Sequence, residues 1–312
     1  MLLPGRGIVY NFRVMHVPDG ILDNRVAFGL CAISAATVAY ASRRIRAHAA
    51  GHIVPLMGVL GAFVFAAQML NFPVLGGTSG HLVGGALLAI LLGPWPAFLT
   101  MATVLLAQAL FLQDGGLIAA GANIFNIGAL TVFSGYVTFR LLAGREIGGR
   151  RARVAAFAAG WASLLVSSSA CALQLALSGV IPLKIGLPSM AGYHALIGVI
   201  EGGLTAGVLS LVSRARPDLL RYADASRLTF SDWIGASALI ALPLLFLGVT
   251  GSSSLPDPLE ALLEKATVEP GGSVLAEPSR WQDYLVRGLV FAVALVAMYA
   301  ASRFAQRRKT RT

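Results

Sequence analysis

The sequence predicts an all-α, polytopic integral membrane protein with about nine transmembrane helices. Three observations carry that prediction. The 312 residues are 56% hydrophobic and only 12% charged, with mean hydropathy +0.75, whereas soluble chains carry about 25% charged residues. Apolar stretches of about 20 residues recur along the chain, enough as helix to cross a hydrocarbon core of roughly 30 Å. Basic residues gather at the ends of these stretches in a one-sided pattern.

Hydropathy places the helices near 26–42, 54–70, 82–94, 97–113, 122–142, 154–178, 191–213, 233–249 and 285–302. Arg43, Arg44 and Arg46 follow the first. Gln68 and Asn71 end the second, ahead of a Gly/Pro-rich loop. The third is short and stops at Gly93-Pro94-Trp95-Pro96, where two prolines force a tight turn. Gln113-Asp114-Gly115-Gly116 turns the chain after the fourth. The fifth carries Asn123 and Asn126 and runs into a basic loop, and the sixth is rich in Ala and Gly, which let membrane helices pack closely. His194 and Glu201 lie seven residues apart on one face of the seventh, and ionisable groups inside a membrane helix are functional candidates by default. An acidic loop with Asp257, Glu260, Glu264, Glu269, Glu277 and Asp283 joins the last two.

Charge sets the expected orientation. With Arg140, Arg145, Arg150, Arg151, Arg153, Arg214, Arg216, Arg221, Arg227, Arg303, Arg307, Arg308, Lys309 and Arg311, 17 of the 24 basic residues fall on one side, which is then cytoplasmic. The odd helix count puts the N-terminus outside and the C-terminus inside. The net charge of +10 is accounted for by this topology and by membrane lipid, with no nucleic-acid partner. Cys31 and Cys171 sit in apolar segments and suggest no disulfide framework. Residues 1–14 do not read as a cleavable signal peptide.

Two motifs carry chemistry. Met15-His16-Val17-Pro18-Asp19-Gly20 and Asn71-Phe72-Pro73-Val74-Leu75-Gly76-Gly77-Thr78-Ser79-Gly80-His81-Leu82 each put one histidine in a Gly/Pro-rich loop, in a chain with five histidines. Histidine is the commonest side-chain metal ligand, so the pair points to capture of a metal ion. If Met15 is the first residue, its amine, the His16 amide nitrogen and the His16 Nδ1 close two fused chelate rings in one plane, with His81 as a fourth nitrogen donor. Four in-plane nitrogens suit Ni(II) or Cu(II) and suit Mg(II) or Ca(II) poorly.

The segments MHVPDGIL, AFVFAAQMLNFPVLGGTSGHLVGG, QALFLQDGG, GANIFNIG and YHALIGVIEGGLT, in that order, resemble the CbiM/NikM family, the substrate-capture components of energy-coupling-factor importers for cobalt and nickel. The resemblance covers roughly residues 15–215. Leu255-Pro256-Asp257-Pro258-Leu259-Glu260 resembles the small NikN/PDGLE partner, here fused, although Pro258 stands where that motif has glycine. The expected organisation is an extension over 1–14, a metal-capture domain over 15–215, a cytoplasmic linker over 216–232 and a two-helix domain over 233–312. In the family the Met-His pair is the mature N-terminus. Here translation from Met15, removal of the extension, or a site built differently remain open, the first being preferred.

The resemblance implies that Ni(II) or Co(II) is cargo rather than a permanent cofactor. It also implies that a transmembrane coupling (T) protein and cytoplasmic ATPase (A) subunits are the partners. The sequence has no GxxxxGK[ST] phosphate loop, so it supplies no ATPase of its own, and no catalytic constellation. The alternative is a stand-alone secondary divalent-metal transporter or channel, with His194, Glu201 and the two asparagines as its polar path. Met15, His16 and His81 are the candidate ligands. Asp19 is expected either to support a ligand histidine or to cap a turn. Gln68 and Asn71 are candidates for orienting His81 or its loop, and Thr78 and Ser79 for bonding within it. His48 and His52 read as interfacial, and Asp114 as a turn residue.

Overall fold

The computed structural model describes residues 16–48, 53–74, 78–144, 147–215 and 257–267. Met15, the 1–14 extension, the 216–232 linker and the expected helices at 233–249 and 285–302 lie outside the described residues.

Helix α1 (Asn24–His48) starts where Asp23 caps it, its Oδ1 accepting the Arg25 N–H at 2.9 Å. Helix α2 (Ile53–Gln68) leads into a two-stranded antiparallel hairpin, β1 (Asn71–Val74) and β2 (Thr78–His81), paired so that Asn71 lies opposite His81. Then come α3 (Gly85–Leu92), α4 (Pro94–Ala107) with a π-helical end over Gln108–Leu112, α5 (Ala120–Asn123), a π-helical stretch Ile124–Leu130 and α6 (Thr131–Ala143). The long helices α7 (Gly149–Leu177) and α8 (Leu183–Ala215) pack along each other, and α9 (Pro258–Thr267) comes last among the described elements.

Among the described residues, five segments are apolar and long enough to cross a bilayer: Asn24–Arg46, Pro94–Leu112, Ala120–Ala143, Gly149–Leu177 and Leu183–Ala215. Large apolar side chains such as Phe28, Leu141, Val154 and Val199 face outward from them, as lipid contact requires. This is a multi-pass membrane protein.

The third expected crossing differs most from a continuous helix. All eight residues of α3 are buried, so an element apolar on every side sits in the centre of the bundle, packed by α2, α4, α6, α7 and α8. Eight residues span only about 12 Å. The hairpin and residues 82–84 precede it. Backbone in such a setting has to be satisfied by protein. Glu201, near the middle of α8, does this: its Oε2 accepts the Val83 N–H at 2.9 Å and its Oε1 the Gly84 N–H at 2.8 Å. Gln68 donates through Nε2 to the Val83 carbonyl at 2.8 Å and accepts through Oε1 from Gln108 Nε2 at 2.9 Å. Gly84 turns the chain into α3 at φ +79°, and a Cβ there would lie 2.7 Å from Val64 Cγ2, so only glycine fits.

Trp95, at the start of α4, packs on Tyr40 with ring centres 4.8 Å apart, under the Arg44 guanidinium. The end of α3 therefore meets the basic end of α1. Chain direction puts Arg140 of α6, Arg150, Arg151 and Arg153 of α7 and Arg214 of α8 toward that same end, away from His16. Helix α8 begins at Leu183, ahead of the expected 191, and carries Pro188 inside it, where the missing N–H leaves the Lys184 carbonyl without its helical donor. Helix α9 falls where the sequence reading placed only an acidic loop.

Candidate metal centre

The His16 segment is held through its backbone. The Val17 N–H donates to Asn123 Oδ1 at 3.0 Å, and Asn123 Nδ2 donates to the Val17 carbonyl at 3.0 Å. The Gly116 N–H reaches that carbonyl too, at 3.0 Å. The Asp19 carboxylate accepts the N–H groups of Leu117, Ile118 and Ala119 at 3.0, 2.8 and 2.9 Å, capping the chain as it enters α5. Residues 16–19 are thereby fastened to the 114–123 stretch. Gly115 lets the two come together: at φ +92°, a Cβ on it would sit 2.9 Å from His16 Cβ.

The His16 ring, 2% exposed, has Nδ1 3.2 Å from Asp114 Oδ1. Among the described residues its Nε2 is buried without a hydrogen-bond partner. Burial alone would push this imidazole down. The Asp114 carboxylate, helped by the more remote Asp257, outweighs burial and holds it above the usual histidine value.

His81 ends β2. Its Nδ1 lies 3.1 Å from the Leu82 carbonyl, which can only accept, so Nδ1 carries the proton and Nε2 keeps its lone pair. Burial, then the charge on His16, pulls this ring down to about 4, leaving it neutral and able to ligate near neutral pH. The rings of His16 and His81 stand edge to face with centres 5.9 Å apart. Two imidazoles each about 2 Å from one ion have ring centres roughly 4.5–6.5 Å apart, so the spacing suits a shared ion.

Both rings line a cavity of about 60 Å³. Asn123 and His194 contribute further polar groups, Ser167, Ser168, Cys171 and Met190 come from α7 and α8, and Asp257 comes from the edge of α9. Among the described residues no three His, Cys, Asp or Glu side chains form a ready metal cluster. Two imidazoles converge on the cavity.

The other expected residues take distinct places. Asp19 serves the backbone at 117–119, and Gln68 holds the segment just after β2. Asn71 sits opposite His81, with Oδ1 buried and without a hydrogen-bond partner among the described residues. Thr78 and Ser79 are buried in β2. His194 Nδ1 donates to the Met190 carbonyl at 2.8 Å and Asn126 pairs with Gln174 at 2.7 Å in both directions. His194, Glu201 and the two asparagines, the polar path of the alternative reading, thus bond to separate partners. Asp114, expected mainly as a turn residue, lies beside His16, and Asp257, expected in an acidic loop, lines the cavity. Asp114 had one usable signal, a carboxylate directly before a Gly-Gly pair that lets another segment approach.

Residues 16–219 match the family described as the cobalt uptake substrate-specific transmembrane region, CbiM. A provisionally named fused nickel transport protein, NikMN, of Archaeoglobus fulgidus is 36% identical over 304 residues, covering 94% of this chain and 99% of its own. A provisionally named metal transport protein of Haloquadratum walsbyi is 46% identical over 208 residues, 66% of this chain and 93% of its own. The crystal structure of a transition metal transporter superposes with TM-score 0.60 at 27% identity, over 68% of this chain and all of that one.

Proposed function

The chain belongs to the CbiM family, and from that premise we propose that it captures Ni(II) or Co(II) between His16 and His81 at the outer membrane face. The ion is then passed inward as part of an ATP-driven importer. The observation that carries this reading is the convergence of two histidines 65 residues apart in sequence, with ring centres at 5.9 Å on one buried cavity. The expected basic cytoplasmic side, opposite that cavity, supports the orientation. Energy comes from partners, a coupling protein and ATPase subunits, since this sequence has no phosphate-binding loop. The fused C-terminal segment, also matched by the nickel-named NikMN relative, favours nickel over cobalt.

In a chain beginning at Met15, the free amine and the His16 amide nitrogen join the two imidazoles in a planar set, which selects Ni(II) by geometry. Binding through His16 Nδ1 displaces the proton that Asp114 stabilises, and the carboxylate stays beside the ion as a countercharge. The test measures the metal content of the purified full-length protein by elemental mass spectrometry, with intact mass to define the first residue. One nickel or cobalt per chain is expected. His16→Ala and His81→Ala should each lower affinity at least about a hundredfold, given about 1.4 kcal/mol per factor of ten. Full metal content in both variants would overturn the assignment. Uptake of labelled nickel by cells should require the ATPase subunits; uptake without them would favour a secondary transporter.

A further inference from the structure

Helix α9 belongs to the C-terminal segment, yet it lies over the cavity. Leu259, Leu262 and Leu263 bury themselves in the cluster that holds Val17, Leu175 and Met190, and the helix packs on α8 and on β2, the strand that ends in His81. Its seating is specific. Asp257 and Glu260 cap the helix reciprocally: the Glu260 N–H donates to Asp257 Oδ1 at 2.7 Å, and the Asp257 N–H donates to Glu260 Oε2 at 2.9 Å. A cap of this kind is usually found at a solvated helix start. Here Asp257 is 3% exposed and lines the same cavity as His16 and His81.

Charge gives that placement a purpose. A divalent ion among side chains this buried needs compensating negative charge. The titratable groups facing the cavity are His16, His81, His194, Cys171, Asp257 and, behind His16, Asp114. With the imidazoles and thiol neutral on binding, Asp114 and Asp257 are the carboxylates placed to offset the charge of the ion, and a cation beside them favours their charged form over the neutral form that burial favours for Asp257. Without Asp257 the start of α9 would turn the positive end of a helix dipole toward the cation.

We propose that the C-terminal segment completes the capture site: α9 closes the cavity over His16 and His81, and the Asp257 carboxylate supplies the second negative charge that holds the divalent cation. The inference rests on metal capture by these two histidines and assigns the fused segment a part in it.

Asparagine caps helices as well as aspartate does, so Asp257→Asn removes the charge and keeps the cap, whereas Glu260→Ala breaks the cap and keeps the charge. Binding of Ni(II) and of Co(II), each alone, is measured by titration calorimetry on the full chain in lipid nanodiscs, with Tm read alongside. Asp257→Asn should weaken binding at least about tenfold at unchanged metal-free Tm. Asp257→Glu should recover most of the loss, and Glu260→Ala should lower Tm while shifting Kd less than about twofold. Wild-type affinity in Asp257→Asn, or equal losses in Asp257→Asn and Glu260→Ala, would overturn the proposal by reducing Asp257 to a helix cap. His16→Ala in the same assay separates the two ideas. If it binds like wild type, the capture reading fails; if it loses metal while Asp257→Asn does not, only the role of Asp257 fails.

Discussion

The two histidines are held by opposite means. His16 rides on a segment stitched through its backbone to the 114–123 stretch, with its ring beside a carboxylate. His81 ends a hairpin whose exit is gripped by side chains of two membrane helices, Gln68 of α2 and Glu201 of α8. One half of the site is fixed locally, and the other answers to helices that run the length of the bundle. A displacement of α8 would therefore pull on the exit of the hairpin that carries His81, while the bonds from the His16 segment to the 114–123 stretch do not involve α8.

The sharpest way to break that contrast is at Glu201, 1% exposed. Glu201→Ala strips acceptors from two buried N–H groups, each costing about 1–3 kcal/mol. We expect a large fall in Tm and loss of metal binding, because His81 loses its support. Glu201→Gln, which keeps one acceptor, should lie between the two. Wild-type affinity in Glu201→Ala would mean that the hairpin holds itself. On the other wing, Asn123→Ala removes both bonds to Val17, and a loss of about 1–3 kcal/mol is expected. Metal affinity should drop less than in Glu201→Ala, since Gly116 and Asp19 still fasten the segment.

The smallest effect concerns pH. A protonated imidazole cannot ligate. His16 is held above its usual value and His81 near 4, so on acidification His16 takes up its proton first. Affinity should fall about tenfold per pH unit once pH drops below the His16 value, with His81 contributing only in far stronger acid. Asp114→Asn removes the carboxylate that raises His16, so the loss should begin at lower pH. Kd for nickel measured across pH in both proteins checks the direction, and an unchanged or higher onset would contradict it.

The long membrane helices were legible because hydropathy summed over a bilayer's width needs no knowledge of partners. The expected 122–142 and 154–178 helices match Ala120–Ala143 and Gly149–Leu177 closely. The hairpin with α3 was not legible. Its strands pair with each other, the turn from β2 into α3 is held by Glu201 from a distant part of the chain, and a window average over 82–94 sees only apolar residues. His16 and His81 stood out as rare residues in flexible loops. Their neighbours Asn123 and Asp114 gain meaning only when the fold brings residues about 100 positions apart together. Helix α9 carries local start signals, Asp257 as N-cap, Pro258 at the first helical position and Glu260 at the third. The acidic residues around them mask that signature, because a run of carboxylates reads equally well as a solvated loop.

The clamp on the hairpin also orders the protein's birth. Val83 is synthesised 118 residues before Glu201, the acceptor of its N–H. A ribosome extends the chain at about 5–20 residues per second, so several seconds separate the emergence of the hairpin from that of the helix that satisfies it. During that interval its amides cannot rest in lipid unpaired. Until α8 arrives, the Val83 and Gly84 N–H groups have to find other partners.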